Sequence, residues 1–89
     1  MTLFKLGSIV ATPGALQLCE QHKIDPLSLI NRHAAGDWGD LRAEDVQANA
    51  DAIATVGRVL SSYVIKGEKL YVITEWDRSA TTLLLANEY

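Results

Sequence analysis

The spacing of hydrophobic residues changes along the chain, from a short alternating segment through helical periods to three more alternating segments. Residues 2–11 alternate loosely between apolar and other positions, which predicts a strand with Gly7 as a bulge. Near the other end, 58–65, 69–76 and 80–85 are strand-like. We therefore expect one early strand and three late ones, separated by a helical region.

Two similar signals mark the start of helices. Thr12-Pro13 and Asp25-Pro26 each place a capping side chain before a proline, which the first helical position accommodates without losing a hydrogen bond. The apolar residues that follow predict a helix over 13–23 and a second one that begins at Asp25-Pro26. The second helix is expected to stop at Gly36, because glycine adopts the left-handed conformation at low cost.

A third helix is predicted between Asp40, as its N-cap, and Gly57. Val46, Ala50 and Ile53 are spaced to form one apolar face of this helix. Asn49 falls inside that stripe, where its amide needs a hydrogen-bond partner. Either it ties the helix to a loop or strand backbone, or it belongs to a binding pocket.

The late strands are joined by two short turns, Lys66-Gly67-Glu68 and Asp77-Arg78-Ser79. Segment 69–76 contains consecutive apolar residues, so both of its faces are buried and it is expected to be central. The prediction is a single α+β domain over 1–89. It has an N-terminal strand, about three helices and a three-stranded antiparallel meander, with the helices packed on one sheet face.

Composition narrows the possible functions. The 89 residues are 48% hydrophobic, with no apolar run long enough to cross a membrane, and the first residues are not expected to act as an export signal. One cysteine excludes an internal disulfide, so we expect a cytoplasmic protein. The net charge is −3, and the eight basic residues are scattered, which disfavours direct nucleic-acid binding.

The negative charge is concentrated between residues 37 and 51, which contain five acidic residues and one basic residue. This segment is either a solvated helix start or a surface that meets a basic protein or mimics nucleic acid. Within it, Trp38 is flanked by Asp37 and Asp40. The tryptophan either covers one end of the core or is an exposed anchor for a partner.

Glu75, Asp77 and Arg78 form a polar group at the end of a predicted strand. They either bind or transform a ligand, together with Asn49 and Asp40, or form a charge network that pins the turn.

Cys19 and His22 make half of a metal-binding motif, but no second pair completes it. We therefore expect Cys19 in the core, no metal and no cofactor. His33 is expected to interact with the last carbonyls of its helix.

Several segments together resemble a known family: ATPGAL (11–16), GDWGDL (36–41), Asp45 with Asn49, Gly57-Arg58 with Ser61 and Tyr63, and ITEWDRSATTLLL (73–85) with Glu88-Tyr89. The chain resembles the small "plasmid-related" proteins carried on plasmids, phages, integrons and integrative elements. Such proteins are sometimes labelled as subunits of type I restriction–modification systems. The resemblance implies a mobile-element accessory protein and no enzyme class, because 89 residues cannot hold a methyltransferase domain.

The first hypothesis is therefore a small protein-interaction module, leaning away from enzymatic activity, with an unknown protein partner. The alternative is a small ligand-binding protein or enzyme. A homodimer is also expected, formed across a sheet edge or by burying Trp76 and Leu85 against a second copy, since the apolar last strand would be exposed at an edge. No residue is assigned as catalytic; the binding candidates are Asp37, Trp38, Asp40, Asn49, Arg58, Glu75, Asp77 and Arg78.

Overall fold

Three helices and a four-stranded sheet follow one another in the order that the hydrophobic spacing predicts. The computed structural model describes residues 2–89. Its elements are β1 (Ser8–Ala11), α1 (Pro13–Gln21), α2 (Pro26–Ala34), α3 (Ala43–Ala54), β2 (Val59–Ile65), β3 (Glu68–Thr74), β4 (Ala80–Leu85) and a short 3-10 helix (Ala86–Glu88). The α+β class is confirmed.

The predicted three-stranded antiparallel meander is confirmed as β2, β3 and β4, but the sheet as a whole is mixed because β1 joins it in parallel. Its strand order is β1-β4-β3-β2, with β1 parallel to β4 and the other pairs antiparallel. The prediction that β3 is interior is confirmed. The prediction of an exposed edge at β4 is wrong, because β1 covers that side of it.

The first strand is shorter than predicted, because Gly7 precedes it and turns the chain. Gly7 has φ +66°, and a Cβ there would collide with the carbonyl oxygens of Arg78 and Ser79. The residues before Gly7 run towards α2, where Leu3 N–H donates to the carbonyl of Ala34 at 2.8 Å. Gly7 is therefore a turn residue and not a bulge within the strand.

The local signals for the first two helices and the hairpin are confirmed. The Thr12 hydroxyl accepts from Ala15 N–H at 3.1 Å, and the Asp25 carboxylate accepts from Leu27 N–H at 3.0 Å. Gly36 has φ +91° just after α2. Positive φ angles at Lys66 and Gly67 match a two-residue hairpin turn.

The third helix departs from prediction at both ends and in its orientation. Its N-cap is Arg42, which makes no side-chain capping bond. The predicted cap, Asp40, lies outside the helix, and its N–H donates to Ser62 O at 2.6 Å. It ends at Ala54, three residues before Gly57. Val46 and Ala50 are exposed and Ile53 is half-buried, while Asn49 and Ala52 are buried, so two of the three residues of the predicted apolar stripe face water. The hydrogen bonds of Asn49 described below fix this orientation.

The expectation that all three helices pack on one sheet face is wrong. The main core lies between α1, α2 and one face of the sheet, and it includes Leu18, Ile30, Leu70, Val72 and Leu83. No residue of α3 belongs to this cluster among residues 2–89. Instead α3 contacts β2 and shares a groove with side chains of the opposite sheet face. One edge of that face therefore carries α3.

Within residues 2–89 there is no helix of the length and apolar character needed to cross a membrane.

Candidate functional site

A groove of about 350 Å³ separates α3 from the sheet face opposite the main core. The groove is lined by residues of α3, of the segment that leads into β2, of β2 and β3, and of the chain after the 3-10 helix: Asp45, Ala48, Asn49, Arg58, Leu60, Tyr71, Ile73 and Tyr89. The floor is apolar, and the charged side chains Asp45 and Arg58 lie on its walls. Grooves of this size with a few polar groups are typical of binding sites.

Asn49 joins one wall of the groove to its floor. Its Nδ2 donates to Leu60 O at 2.7 Å, and its Oδ1 accepts from Leu60 N–H at 3.0 Å. The amide therefore pairs with the outer edge of β2 as a neighbouring strand would. The prediction that Asn49 ties the helix to a strand backbone is confirmed, and its amide has one donor proton and lone pairs left to face the groove.

Arg58 organises the opposite wall. Its Nη1 donates to the Tyr89 hydroxyl at 2.8 Å, its Nε lies 3.5 Å from a Glu75 oxygen, and its guanidinium carbon lies 5.6 Å from the Tyr89 ring centroid. The Tyr89 ring meets Tyr71 edge-on, with centroids 5.9 Å apart. Tyr89 is nevertheless 67% exposed. This wall thus presents an arginine and two aromatic rings to solvent.

The predicted polar group at the end of β3 is split by the structure. Glu75 contacts Arg58 at the groove, whereas Asp77 is exposed and accepts from Ser79 N–H at 3.0 Å. Hydrogen bonds from Ser79 also hold the pKa of the Asp77 carboxyl below its usual value. Only Glu75 therefore joins Asn49 and Arg58 near the groove.

Arg78 pins its turn to the end of α3. Its guanidinium donates to the carbonyl oxygens of Gly57 at 2.5 Å, Ala52 at 2.9 Å and Glu75 at 3.1 Å. A cation at this position satisfies carbonyls that the helix end leaves without partners. This matches the interpretation of a pinned turn, although backbone carbonyls replace the carboxylates that the sequence suggested.

The remaining candidates lie away from the groove. Trp38 is half-buried, and its ring stacks on Phe4 and meets His33 edge-on, with centroids 6.3 and 5.8 Å apart. Asp37 binds Arg32 at 2.7 Å, and this hydrogen bond lowers the pKa of the Asp37 carboxyl. Trp38 therefore covers one end of the core, as one of its two interpretations held, while Asp40 joins the chain to β2.

A buried polar network behind Trp38 was not predicted. His33 is fully buried, with Nδ1 2.5 Å from Ser61 Oγ and Nε2 2.9 Å from Thr74 Oγ1. Thr74 Oγ1 lies 2.7 Å from Thr81 Oγ1, whose hydroxyl donates to Leu6 O at 2.7 Å. The expectation that His33 interacts with the last carbonyls of α2 is wrong, because the hydroxyls of Ser61 and Thr74 inside the sheet hydrogen-bond to its two ring nitrogens.

The carbonyl at the end of this network fixes the direction of every proton in it. Leu6 O can only accept, so Thr81 donates to it and accepts from Thr74, which in turn accepts from His33 Nε2–H. Neutral His33 then accepts from Ser61 at Nδ1. Burial lowers the pKa of His33 to about 4, which keeps this neutral form at physiological pH.

In the Ser61–His33 contact the hydroxyl donates to the imidazole, as a catalytic nucleophile donates to its general base. Both side chains are nevertheless 0% exposed. Phe4 and Trp38 pack on the imidazole ring. A substrate cannot reach the pair in this conformation, so the network stabilises the fold and offers no reaction site. The signal for this network in the sequence was the presence of hydroxyl residues at core-facing positions of neighbouring strands. It can be recognised only when the strand register is known.

The cysteine and histidine half-motif forms no site. Cys19 is buried in the main core, as predicted, and burial raises the pKa of its thiol, which disfavours the reactive thiolate. In the described part of the chain, no three side chains of histidine, cysteine, aspartate or glutamate converge on a point that could hold a metal ion.

Neither a family model nor a curated protein nor a solved structure matches this chain. The site is therefore interpreted from its own geometry.

Proposed function

We propose that this protein is an interaction module whose groove receives a segment of a partner protein. The observation that carries the proposal is the groove wall formed by Arg58, Tyr71 and Tyr89, which presents the residue types enriched in protein-binding hot spots. Tyr89 is mostly exposed, and the Arg58 side chain is about half exposed at 48%. Their contact surface is thus available to a partner.

Charge suggests the chemistry of that partner. Asp45 lines the groove and belongs to the acidic segment 37–51, whose five acids outnumber its single base. A basic protein segment is attracted to such a surface, and an apolar side chain within the segment would fill the space between Tyr71 and Ile73. We therefore propose a partner that carries lysine or arginine next to an aromatic or branched aliphatic residue.

A peptide-display selection on the whole protein tests this proposal. The selected peptides should be basic with one apolar anchor, and replacing Asp45→Asn should weaken their binding about tenfold, the worth of one charge-assisted contact. Asp51→Asn is the matched control, because it removes the same charge from an exposed position of the same helix outside the groove. Failure to enrich any sequence, or equal losses in both variants, would contradict the proposal.

A small-molecule ligand is the second candidate for the same groove. Its volume of about 350 Å³ falls at the lower end of the range of about 300–1,000 Å³ for ligand pockets. Fragment screening by NMR distinguishes the two candidates: a small ligand should shift Tyr71 and Asn49 resonances at low concentration without any basic group. We propose binding without catalysis in either case, since the Ser61–His33 pair is enclosed.

The wider role that we propose is that of a cytoplasmic accessory protein of a mobile genetic element, acting on a host or element-encoded defence system. This proposal is supported by the resemblance of segments such as GDWGDL (36–41) and ITEWDRSATTLLL (73–85) to plasmid-related proteins. Expression in a host with an active type I restriction system should change the plating efficiency of unmodified phage, and Asp45→Asn should reduce the change. Unaltered plating would reject this role.

A further inference from the structure

The two edges of the sheet differ in how their backbone groups are satisfied. At the β2 edge, Asn49 pairs with Leu60, while Ser62 N–H donates to Trp38 O at 3.0 Å and Ser62 O accepts from Asp40 N–H at 2.6 Å. The structure thus covers most of this edge with a side-chain amide and a loop. Covered edges prevent unwanted strand pairing.

The β1 edge has no such cover. Ser8 N–H donates to Ser79 O and Thr12 N–H donates to Leu83 O, both at 3.0 Å, so even-numbered residues of β1 face β4. The N–H and C=O groups of Ile9 and Ala11 therefore point away from the sheet. Within residues 2–89, no group outside β1 and β4 hydrogen-bonds to them.

The side chains at this edge are apolar and exposed on both sides. Ile9 and Val10 are each 49% exposed, and they lie on opposite faces of the sheet. A second strand beside β1 would cover both at once, whereas a ligand on one face would cover only one. An uncharged, apolar edge strand with free backbone groups is a template for pairing.

Charge favours a second copy as the occupant. No charged residue occurs between Leu6 and Cys19, and the one carboxylate that hydrogen-bonds to this segment, Glu88 on the Thr12 hydroxyl at 2.7 Å, lies beyond the end of β1, so the strand itself carries no charge that would repel a second copy. The acidic segment 37–51 lies at the opposite edge of the sheet, where Gly39 bridges to Ser62. Pairing through β1 therefore keeps the strongly negative regions of the two copies far apart.

We propose that β1 pairs antiparallel with β1 of a second copy, about a two-fold axis at Val10. In this register Ile9 of each protomer faces Ala11 of its partner, and the two pairs exchange four backbone hydrogen bonds. The two Val10 residues form the close, non-hydrogen-bonded pair between them. Self-pairing in this register satisfies every outward backbone group of Ile9 and Ala11, which an axis centred elsewhere would not.

The pairing joins two four-stranded sheets into one of eight strands. Val10, Thr82, Ile73 and Leu60 are successive cross-strand neighbours, so Val10 lies on the same face as the groove. Both grooves then lie on the same face of the joined sheet, about 30 Å apart at about 4.8 Å per strand. If the proposed function is correct, the dimer would bind two linked segments more tightly than one.

Sedimentation velocity across a concentration series from the micromolar to the millimolar range tests the proposal on the whole protein. The parent should pass from monomer to dimer, and Val10→Lys, which places two ammonium groups side by side at the axis, should raise the dissociation constant at least about tenfold. Val64→Lys is the matched control, because Val64 is 50% exposed on the opposite edge strand, and it should dimerise like the parent.

Backbone hydrogen exchange provides a readout that needs no variant. The Ile9 and Ala11 amides should become protected as concentration rises, while Val64 should not. A parent that stays monomeric throughout, or dimerisation that Val64→Lys abolishes and Val10→Lys does not, would overturn the proposal. Protection of Ile9 and Ala11 that appears only with a bound peptide would identify a foreign strand as the occupant and would also overturn it. Peptide binding to the groove is measured on monomeric Val10→Lys, so the two proposals can fail separately.

Discussion

The molecule contains two trios of arginine, carboxylate and tyrosine, and their surroundings differ. In the closed trio, Arg32, Asp37 and Tyr63, the ion pair is 2.7 Å long and the guanidinium lies 4.4 Å from the tyrosine ring centroid. Tyr63 is only 3% exposed, and its hydroxyl donates to Asp37 O at 2.6 Å. The closed trio thus holds the loop after α2 against β2.

The open trio, Arg58, Glu75 and Tyr89, has the same chemistry in a looser arrangement. Its ion pair is 3.5 Å long, its guanidinium lies 5.6 Å from the ring centroid, and its tyrosine is 67% exposed. The ion pair of the closed trio is just as exposed, at 47% and 52% for its two side chains against 48% and 37% in the open trio, so each pair contributes about 0–1 kcal/mol and the trios differ mainly in their tyrosines. The comparison teaches that residue type alone does not distinguish a structural cluster from a binding surface; the chain segments packed around it do.

The largest expected difference between the two regions is in how the free energy of unfolding depends on pH. His33 confers this dependence on the region of the closed trio. Its pKa is lowered from 6.5 to about 4 by burial, so the unfolded chain binds a proton first as the pH falls. Stability is therefore complete above about pH 6.5 and decreases towards pH 4, by about 3 kcal/mol from this residue alone.

Chemical denaturation at pH 7 and pH 4 measures this effect. His33→Gln, which cannot titrate, should lose about 3 kcal/mol less than the parent between the two pH values, although it is less stable at pH 7. The solvent-exposed carboxylates act as an internal reference, because they titrate in both proteins. Parallel losses in the two proteins would show that the histidine is not held neutral by the fold.

Local signals were sufficient to predict much of the fold. A proline after a capping residue marks Thr12 and Asp25 as helix starts, and the turn at Lys66-Gly67 needs only a two-residue loop between two apolar segments. Asn49 was also identified from its position on a helix. In each case the deciding interaction lies within a few residues or follows from one helical period.

The features that were missed depend on contacts between distant segments. The parallel pairing of β1 with β4 joins residues more than 70 positions apart, and no turn specifies it. The His33 network and the groove each need residues from several strands in a defined register. The α3 stripe was misplaced because the two hydrogen bonds between Asn49 and the Leu60 backbone turn the Asn49 side of the helix towards β2 and leave Val46 and Ala50 exposed.

Asn49 combines features of both regions. It lines the groove next to the open trio, yet its amide is held by two hydrogen bonds, as the residues of the closed trio are held by theirs. Asn49→Leu removes both hydrogen bonds and leaves the Leu60 backbone without partners, which should cost about 1–3 kcal/mol. Gln47→Leu, an exposed substitution on the same helix, is the control and should change stability by less than about 0.5 kcal/mol. Unfolding curves in urea measure both; parental stability of Asn49→Leu together with the loss of peptide binding would make the amide a recognition group.

The smallest expected change in the free energy of unfolding comes from replacing the tyrosine of each trio with phenylalanine. This is also the most direct comparison of the two trios, since each substitution removes a single oxygen atom. Tyr63→Phe deletes a buried hydroxyl and leaves Asp37 O without its donor, so the free energy of unfolding should fall by about 1 kcal/mol. Tyr89→Phe deletes an exposed hydroxyl whose partner, Arg58, remains in contact with water, and the change should stay within about 0.3 kcal/mol. The binding of a selected peptide should show the reverse order, because only Tyr89 lies in the groove. If Tyr89→Phe destabilises the fold as much as Tyr63→Phe, the two trios are both structural, and the open wall of the groove is part of the scaffold and not a surface kept for a partner.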